Sequence, residues 1–392
     1  MREMFEMGTK CNVCEDTLEN PVYTSEKDLS ITTMGTLLDG ETRVYFCGNC
    51  AHIQTTELSN IDEYYALEYE INAESKAADQ LYEICGDTPI FRADKQAEVF
   101  LQKVAPKEGS LILDYGCAKG ATLRSICEVN QAITPYMFDV TDRYVDFWKE
   151  FVAEDNYACF EVNPEWRGMF DVITSFYALE HIADLDTCLN RIHDLLAEDG
   201  KIHFMVPNCF ENIADFVVAD HVNHFSKFSI AYLLHKYDFT DIVIDDSIYD
   251  SALVVNANKS KHSGPTKGPR RSCLDDVADQ VAKLADYWRG IRERLESFDQ
   301  QFIGDRSISI YGAGFYGSFI RSCLRSDVHI HSILDMNPHL HGQLLDQTPV
   351  VRPDQMPANV DVLLVGLNPA KAGHIIEQAG IPDVENKHVF YL

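Results

Sequence analysis

Leu111-Ile-Leu-Asp-Tyr-Gly-Cys-Ala-Lys-Gly120 is an apolar run that ends in an acid and a turn punctuated by glycines. Its first three residues read as a buried strand, and a helix is expected from Ala121 onward. Strand, glycine turn and helix in that order open a doubly wound α/β sheet. Ligands of such sheets sit outside the carboxyl ends of the strands. Small residues in the turn let a ligand come close to the backbone. The last glycine is not followed by Lys-Ser or Lys-Thr, so the turn is not the phosphate loop of a nucleoside triphosphatase.

Downstream, Thr134–Phe138 reads as a second strand ending in Asp139, 19 residues after Gly120. An acid there accepts hydrogen bonds from ribose hydroxyls, and an NAD site uses the same logic, so this pair alone does not choose the cofactor. The next stretch does. Phe170-Asp-Val-Ile-Thr-Ser-Phe-Tyr-Ala-Leu-Glu-His181 is a strand turning into an acidic loop, and Lys201–Asn208 follows as another strand. Asp114-x-Gly116-x-x-x-Gly120, the acid at Asp139 and Phe170-Asp-Val with Leu179-Glu-His181 resemble class I S-adenosylmethionine-dependent methyltransferases. Ala118 stands where many members carry glycine. The resemblance implies that Asp114, Gly116, Cys117 and Gly120 cradle the methionine part of S-adenosylmethionine. It implies that Asp139 takes the ribose and that Tyr177, Glu180 and His181 line the pocket. Glu180 and His181 have a second reading, in which they only orient their loop.

Cys11-Asn-Val-Cys14 and Cys47-Gly-Asn-Cys50 are two Cys-x-x-Cys knuckles. Each turn offers two thiolates, and the pair completes a tetrahedral set suited to structural Zn²⁺. Four protein ligands leave no open position, so the metal holds the fold. Leu29–Met34 and Arg43–Phe46, with Asp39-Gly40 between, read as a hairpin carrying the second knuckle. The other eight of the 12 cysteines sit singly and read mostly as buried small hydrophobes.

The chain has 392 residues, 46% hydrophobic and 24% charged, with a net charge of −29. Such length implies two or three domains. The acidic balance argues against sequence-independent nucleic-acid binding. No apolar run is long enough for a membrane span, and the amino-terminal residues are too polar for a signal-peptide core. A cytoplasmic protein without membrane or nucleic-acid partners is expected. Only Lys259–Arg271 runs against the charge, as a solvated linker or a place for an anion.

Leu274–Gln300 has apolar residues at helical spacing and reads as one long connecting helix. After it, Ser307-Ile-Ser-Ile-Tyr-Gly312-Ala-Gly314-Phe-Tyr-Gly317 is a strand with Gly-x-Gly-x-x-Gly, and Asp335 ends the next strand. The motif suits NAD, but the remaining chain is about half a dinucleotide fold, and NAD binding is not expected. The expected fold is therefore α/β: a zinc-binding segment at 1–75, a Rossmann-like methyltransferase core at 76–258, a linker and helix at 259–302, and a smaller α/β domain at 303–392.

These three parts in this order resemble the sugar C-methyltransferases that act on nucleotide-linked deoxysugars. Cys47-Gly-Asn-Cys-Ala-His-Ile-Gln54, Asp220-His-Val-Asn-His-Phe225, Asp335-Met-Asn-Pro and Asp361–Pro369 carry the likeness. It implies a nucleotide-sugar substrate methylated on carbon beside a ketone, with a histidine base from a Glu-His-x-x-Tyr-Phe motif. Here Asp220 replaces the Glu and His224 the Tyr, while His221 and Phe225 stand. Candidate catalytic residues are His221, His224, Asp220 and Tyr69, the last able to hydrogen-bond the sugar oxyanion or merely to pack. Methyl transfer to oxygen or nitrogen of a glycan or small metabolite is the competing reading.

Overall fold

The structure, a computed structural model, describes residues 9–26, 29–57, 79–86, 88–262, 264 and 266–392. Tyr69 lies outside the described residues.

The quoted run forms the strand Leu111–Tyr115, third in a seven-stranded sheet. It pairs in parallel with Thr134–Asp139 on one side and Phe170–Phe176 on the other. Tyr157–Cys159 lies beyond the first neighbour, and Leu196–Pro207 beyond the second. Ala252–Lys259 and then Phe239–Asp245 finish the sheet, Ala252–Lys259 running antiparallel to both its neighbours. Numbered along the chain, the order is 3-2-1-4-5-7-6. This is a class I methyltransferase, Rossmann-like fold. The order reverses between Leu111–Tyr115 and Phe170–Phe176, so the loops leaving their carboxyl ends diverge and open a crevice.

Both faces of the sheet are covered. Ile112, Met137 and Val172 pack in one cluster with Phe100, Leu123 and Ile126 of the helices Arg92–Val104 and Ala121–Val129. Leu113, Phe138 and Ile173 pack in another with Leu189 and Ile192 of the helix Leu185–Leu195. Successive residues of a strand point to opposite faces, so burial on both faces requires an unbroken apolar run rather than an alternating one. Ile112 and Leu113 are fully buried. Each such side chain contributes roughly 1.5–3 kcal/mol of transfer free energy.

Several local expectations are modified. Arg43–Phe46 pairs with Ile53–Thr55, so that hairpin carries the second knuckle at its turn. Ser30–Ile31 instead pairs with Leu37–Leu38. The helix expected at 274–300 is two helices, Arg271–Arg289 and Ile291–Phe298, separated by Gly290. Its apolar face is nonetheless the buried one, from Leu274 through Val277, Val281, Leu284 and Trp288 to Ile291 and Leu295. No helix among the described residues is long and apolar enough to cross a membrane.

The chain divides into two compact units that differ from the expected linear domains. One comprises Met1–Val22, Val44–Asp215 and His221–Val281; the other comprises Tyr23–Arg43, Phe216–Asp220 and Ala282–Leu392. Both cysteine knuckles thus belong to the unit with the core, because Asn223–His224 pairs with Ile53–Thr55 as a strand of the knuckle hairpin. In the second unit, six strands are ordered Leu344–Leu345, Thr348–Val351, Ile330–Leu334, Ile308–Tyr311, Val362–Val365 and His388–Tyr391. All neighbours are parallel except the first pair.

Candidate active site

A cavity of about 840 Å³ opens at the crevice. Its walls are the loops after three strands: Gly116 to Thr122, Val140 to Tyr144, and Tyr177 to Ala183. Of the expected cofactor-binding residues, Asp114, Gly116, Cys117, Gly120, Asp139, Tyr177 and His181 line it. Glu180 does not; its side chain is buried. Gly116, Ala118, Gly120 and Tyr177 have φ of 74°, 45°, 71° and 55°. For Ala118 and Tyr177 this left-handed conformation costs about 1–2 kcal/mol each. The Ala118 peptide is pinned on both sides. Its N–H donates to Asp139 Oδ2 at 2.8 Å, and its carbonyl accepts from Trp148 Nε1 at 2.7 Å. That explains how alanine stands at a glycine position. The Arg92 guanidinium lies 3.7 Å from the centre of the Tyr177 ring and also lines the cavity.

Burial pushes the Asp139 carboxyl up to about 6, against the pull of the Ala118, Thr141 and Val140 N–H groups. Burial likewise pushes Asp114 up to about 7, opposed by the Thr174 hydroxyl that donates to it at 2.9 Å and reinforced by Asp139. Both acids therefore gain from a ligand that brings hydroxyl or ammonium donors. The ribose and the methionine amine of S-adenosylmethionine have these groups, so the residues present fit that cofactor.

Beside the cavity wall lies a polar cluster. The His221 ring meets the cavity-lining His181 edge-on, with centroids 4.6 Å apart. Glu180, His181 and His221 each place one donor atom within 4.8 Å of the others. Burial raises Glu180 to about 7, moderated by His221. His221 Nδ1 is 2.5 Å from Asp215 Oδ1, and His224 Nδ1 is 3.0 Å from Asp215 Oδ2. Burial alone would raise Asp215, but the two histidines outweigh it and hold the carboxyl well below its usual range. An ionised carboxylate only accepts hydrogen bonds. Both histidines must then carry a proton on Nδ1, which makes Nε2 the basic nitrogen of a neutral His221.

Residues 92–243 match the family described as a methyltransferase domain. The chain carries an S-adenosylmethionine-dependent methyltransferase domain. Among solved structures, it is similar to the CurJ carbon methyltransferase, with 16% identity and a TM-score of 0.36 over 42% of this chain and 54% of that one. It is also similar to an S-adenosylmethionine-dependent methyltransferase of Mesorhizobium loti, with 16% identity and a TM-score of 0.35 over 43% of this chain and 100% of that one. The chain thus spans about half the length of the first of these. No curated protein matches the sequence.

Asn223 is one of the residues that join the methyltransferase domain to the cysteine cluster. Cys11, Cys14, Cys47 and Cys50 gather into one group, with Sγ atoms 3.6 Å apart for Cys11 and Cys50 and 3.4 Å for Cys14 and Cys47. Thiolates around a zinc ion at about 2.3 Å lie roughly 3.8 Å from one another, so the four sulfurs fit such an ion. Asn223 Oδ1 accepts from Asn12 Nδ2 inside the first knuckle at 3.0 Å and contacts His52 Nε2, just past the second, at 3.1 Å. Its Nδ2 donates to the carbonyls of Leu179 and Ile182, which flank Glu180-His181.

The structure redistributes the expected catalytic residues. His221 and His224 come together on Asp215, a residue the sequence reading passed over. Asp220, expected beside the base, is fully buried and accepts from the Thr33 backbone N–H and hydroxyl, at 2.6 and 3.1 Å. Its carboxylate holds a turn of the second unit, and Asp215 is the carboxylate on His221. Asp215 opens a single 3₁₀ turn, Asp215–Val217. Asn223 and Arg92 carry no spacing signal, because Asn12, His52, Leu179, Ile182 and Tyr177 are distant in sequence; Asp215 stands six and nine residues before His221 and His224, a spacing that no regular element dictates.

Proposed function

We propose that the protein transfers a methyl group from S-adenosylmethionine to carbon beside the ketone of a nucleotide-linked deoxysugar. The observation that carries this reading is the Asp215–His221 pair, set directly against the cavity-lining His181. A C–H bond beside a ketone ionises only with a positioned base, and histidine is matched to neutral pH. The proton leaves carbon for Nε2 of His221, and the C–H electron pair becomes the enolate. Asp215 holds the ring and balances the imidazolium that forms. S-adenosylmethionine, when bound, supplies an electrophilic methyl group on its sulfonium. Asp139 takes the ribose, and Asp114 with the 116–120 turn takes the methionine part. We further propose that the four cysteines hold one structural Zn²⁺. The likeness of the whole chain to sugar C-methyltransferases supports the nucleotide sugar as acceptor. The net charge of −29 supports a small acceptor over a nucleic acid. The 12 cysteines, all free thiols, support a reducing, cytoplasmic setting.

The test is incubation with methyl-labelled S-adenosylmethionine and a panel of nucleoside-diphosphate keto-deoxysugars, with NMR of the product. A new C–C bond beside the ketone is expected. An O-methyl or N-methyl product, with no C-methyl in any member of the panel, overturns the reading.

A further inference from the structure

The polar cluster extends past the base. His224 is fully buried, and its second nitrogen, Nε2, lies 2.7 Å from Thr55 Oγ1. Thr55 ends the strand Ile53–Thr55 that follows the second cysteine knuckle, and its N–H donates to Val222 O at 3.2 Å. Thr55, His224, Asp215 and His221 therefore form one continuous chain of hydrogen bonds. Asp215 is only 1% exposed, so its charge has little help from water. An anion this deep needs partners on both oxygens. His221 takes Oδ1 and His224 takes Oδ2.

We propose that Asp215 is a positioning residue that sets the tautomer of His221, and that His224, held from behind by Thr55, is the partner that keeps Asp215 ionised. The inference rests on the assignment of His221 as base. Its chemistry is specific to a two-sided anion. With both oxygens accepting, each histidine must present Nδ1–H, and the lone pair of His221 falls on Nε2. A neutral amide at 215 breaks that symmetry, because its Nδ2 donates and its Oδ1 accepts. One histidine then keeps Nδ1–H, while the other must accept on Nδ1 and carry its proton on Nε2. His224 can turn either way, because the Thr55 hydroxyl both donates and accepts. In either case the charge of Asp215 no longer supports the His221 ring. On this account His224 takes no proton from substrate; it acts through Asp215.

The experiment is NMR of the full-length, zinc-loaded protein with ¹⁵N-labelled histidine, His221 being assigned by comparison with His221→Gln. The wild type is expected to show Nδ1–H and an unprotonated Nε2 on the neutral His221 ring. Asp215→Asn, which keeps the shape of the side chain, is expected to shift the His221 ring toward the Nε2–H form or raise its fraction. The same proteins are then mixed with S-adenosylhomocysteine and a nucleoside-diphosphate 4-keto-6-deoxyhexose in D₂O, and exchange of the proton beside the ketone is followed. Asp215→Asn should slow exchange about 10²–10⁴-fold, the range for loss of a base or of its correct tautomer. Affinity for S-adenosylhomocysteine should hold. Thr55→Val, which deprives His224 of its second partner, should slow exchange less, and Thr55→Ser should restore it. A wild-type His221 with its proton on Nε2 overturns the inference without any variant. So does Asp215→Asn exchanging at the wild-type rate while His221→Ala does not exchange. Exchange that survives in His221→Ala overturns the base assignment itself and is thereby distinguished from failure at Asp215.

Discussion

The turn at 116–120 in the core and the turn at 312–317 in the second unit share a plan. Each follows a buried strand, each precedes a helix, and each receives a carboxylate from the end of the next strand. Asp139 accepts from the Ala118 N–H at 2.8 Å, and Asp335 accepts from the Ala313 N–H at 2.8 Å. They differ in what the missing side chains make room for. A Cβ on Gly317 would lie 1.9 Å from the carbonyl oxygen of Gly312, and one on Gly312 would lie 2.3 Å from that of Gly366. There, backbone packs on backbone. Around the core turn the neighbours are side chains, not backbone: a Cβ on Gly120 would lie 2.1 Å from the end of Met137 and one on Gly116 2.7 Å from the Ala178 Cβ, while the loop faces a cavity of about 840 Å³. The same residue type is used for close packing in one turn and for leaving a wall open in the other.

The largest expected effect tests the packing half of this contrast. Gly317→Ala forces carbonyl and Cβ together, and neither is a flexible side-chain end. It should destabilise the second unit by about 3 kcal/mol or more, at or beyond the usual range for overpacking. Denaturant unfolding, followed by fluorescence of Trp288 in that unit, measures it. Gly120→Ala meets a methionine methyl that can move, but it pays for a positive φ, so a loss of about 1–2 kcal/mol is expected. Equal losses at the two positions would erase the distinction.

The next effect separates the two carboxylates. Asp139→Ala removes the acceptor of the ribose hydroxyls and the anchor of Ala118. Calorimetry with S-adenosylhomocysteine should show about a tenfold to hundredfold loss, matching roughly 1.5–3 kcal/mol for hydrogen bonds to a charged group. Asp335→Ala removes the equivalent anchor in the second unit, and S-adenosylhomocysteine affinity should stay within about twofold. A comparable loss from Asp335→Ala would mean that both turns serve the donor site.

A smaller effect follows from pH. Burial raises Asp139 to about 6 and Asp114 to about 7. A carboxyl whose folded pKa exceeds its unfolded value binds more protons when folded, so its contribution to stability declines as pH rises between the two values. The ligand-free core should lose stability from pH 5 to pH 8, and Asp139→Asn should flatten that slope. Donor binding runs the other way, because the ionised Asp139 is the better acceptor. Affinity for S-adenosylhomocysteine should be about fivefold to tenfold weaker at pH 5 than at pH 7, as expected for a site mostly protonated one unit below its pKa. A pH-independent affinity in the wild type would remove Asp139 from the ribose.

How much of this could be read in the sequence depends on whether an element or an ion dictates the spacing of the partners. Leu111–Gly120 and Asp139 were legible because one strand, one turn and one carboxylate act within about 30 residues, and two-sided burial leaves an unbroken apolar run. The cysteine cluster was legible because the ligand type and its Cys-x-x-Cys spacing are restricted by the ion. Asp215 was not. An acid after a run such as Glu211-Asn-Ile-Ala has no periodic partner, and its role exists only once His221 and His224 fold over it. Asn223 is similar: its side-chain hydrogen bonds reach residues 12, 52, 179 and 182, and no local pattern encodes them. Asp220 misled for the opposite reason. Adjacency to His221 in sequence suggests a partner, but Asp220 lies in a turn and its carboxylate accepts from Thr33 instead.

The smallest expected effect is the sharpest test of the comparison. Gly314 is the middle glycine of Gly312-x-Gly314-x-x-Gly317, the position a dinucleotide site keeps bare so that a pyrophosphate can approach. Nothing lies within 4 Å of a Cβ placed there, and its φ of −89° is open to any residue. Packing therefore explains Gly312 and Gly317 but makes no demand on Gly314. If the second unit uses its glycines for close packing alone, Gly314→Ala should change unfolding free energy by no more than about 0.5 kcal/mol, as for an unconstrained surface site. The wild type should also show no saturable binding of NAD or NADH in the micromolar range. The opposite result is equally definite. Saturable binding in the wild type, abolished by Gly314→Val with stability unchanged, would show that the second turn also keeps its wall open for a ligand, and the contrast with the core turn would fail at its central point.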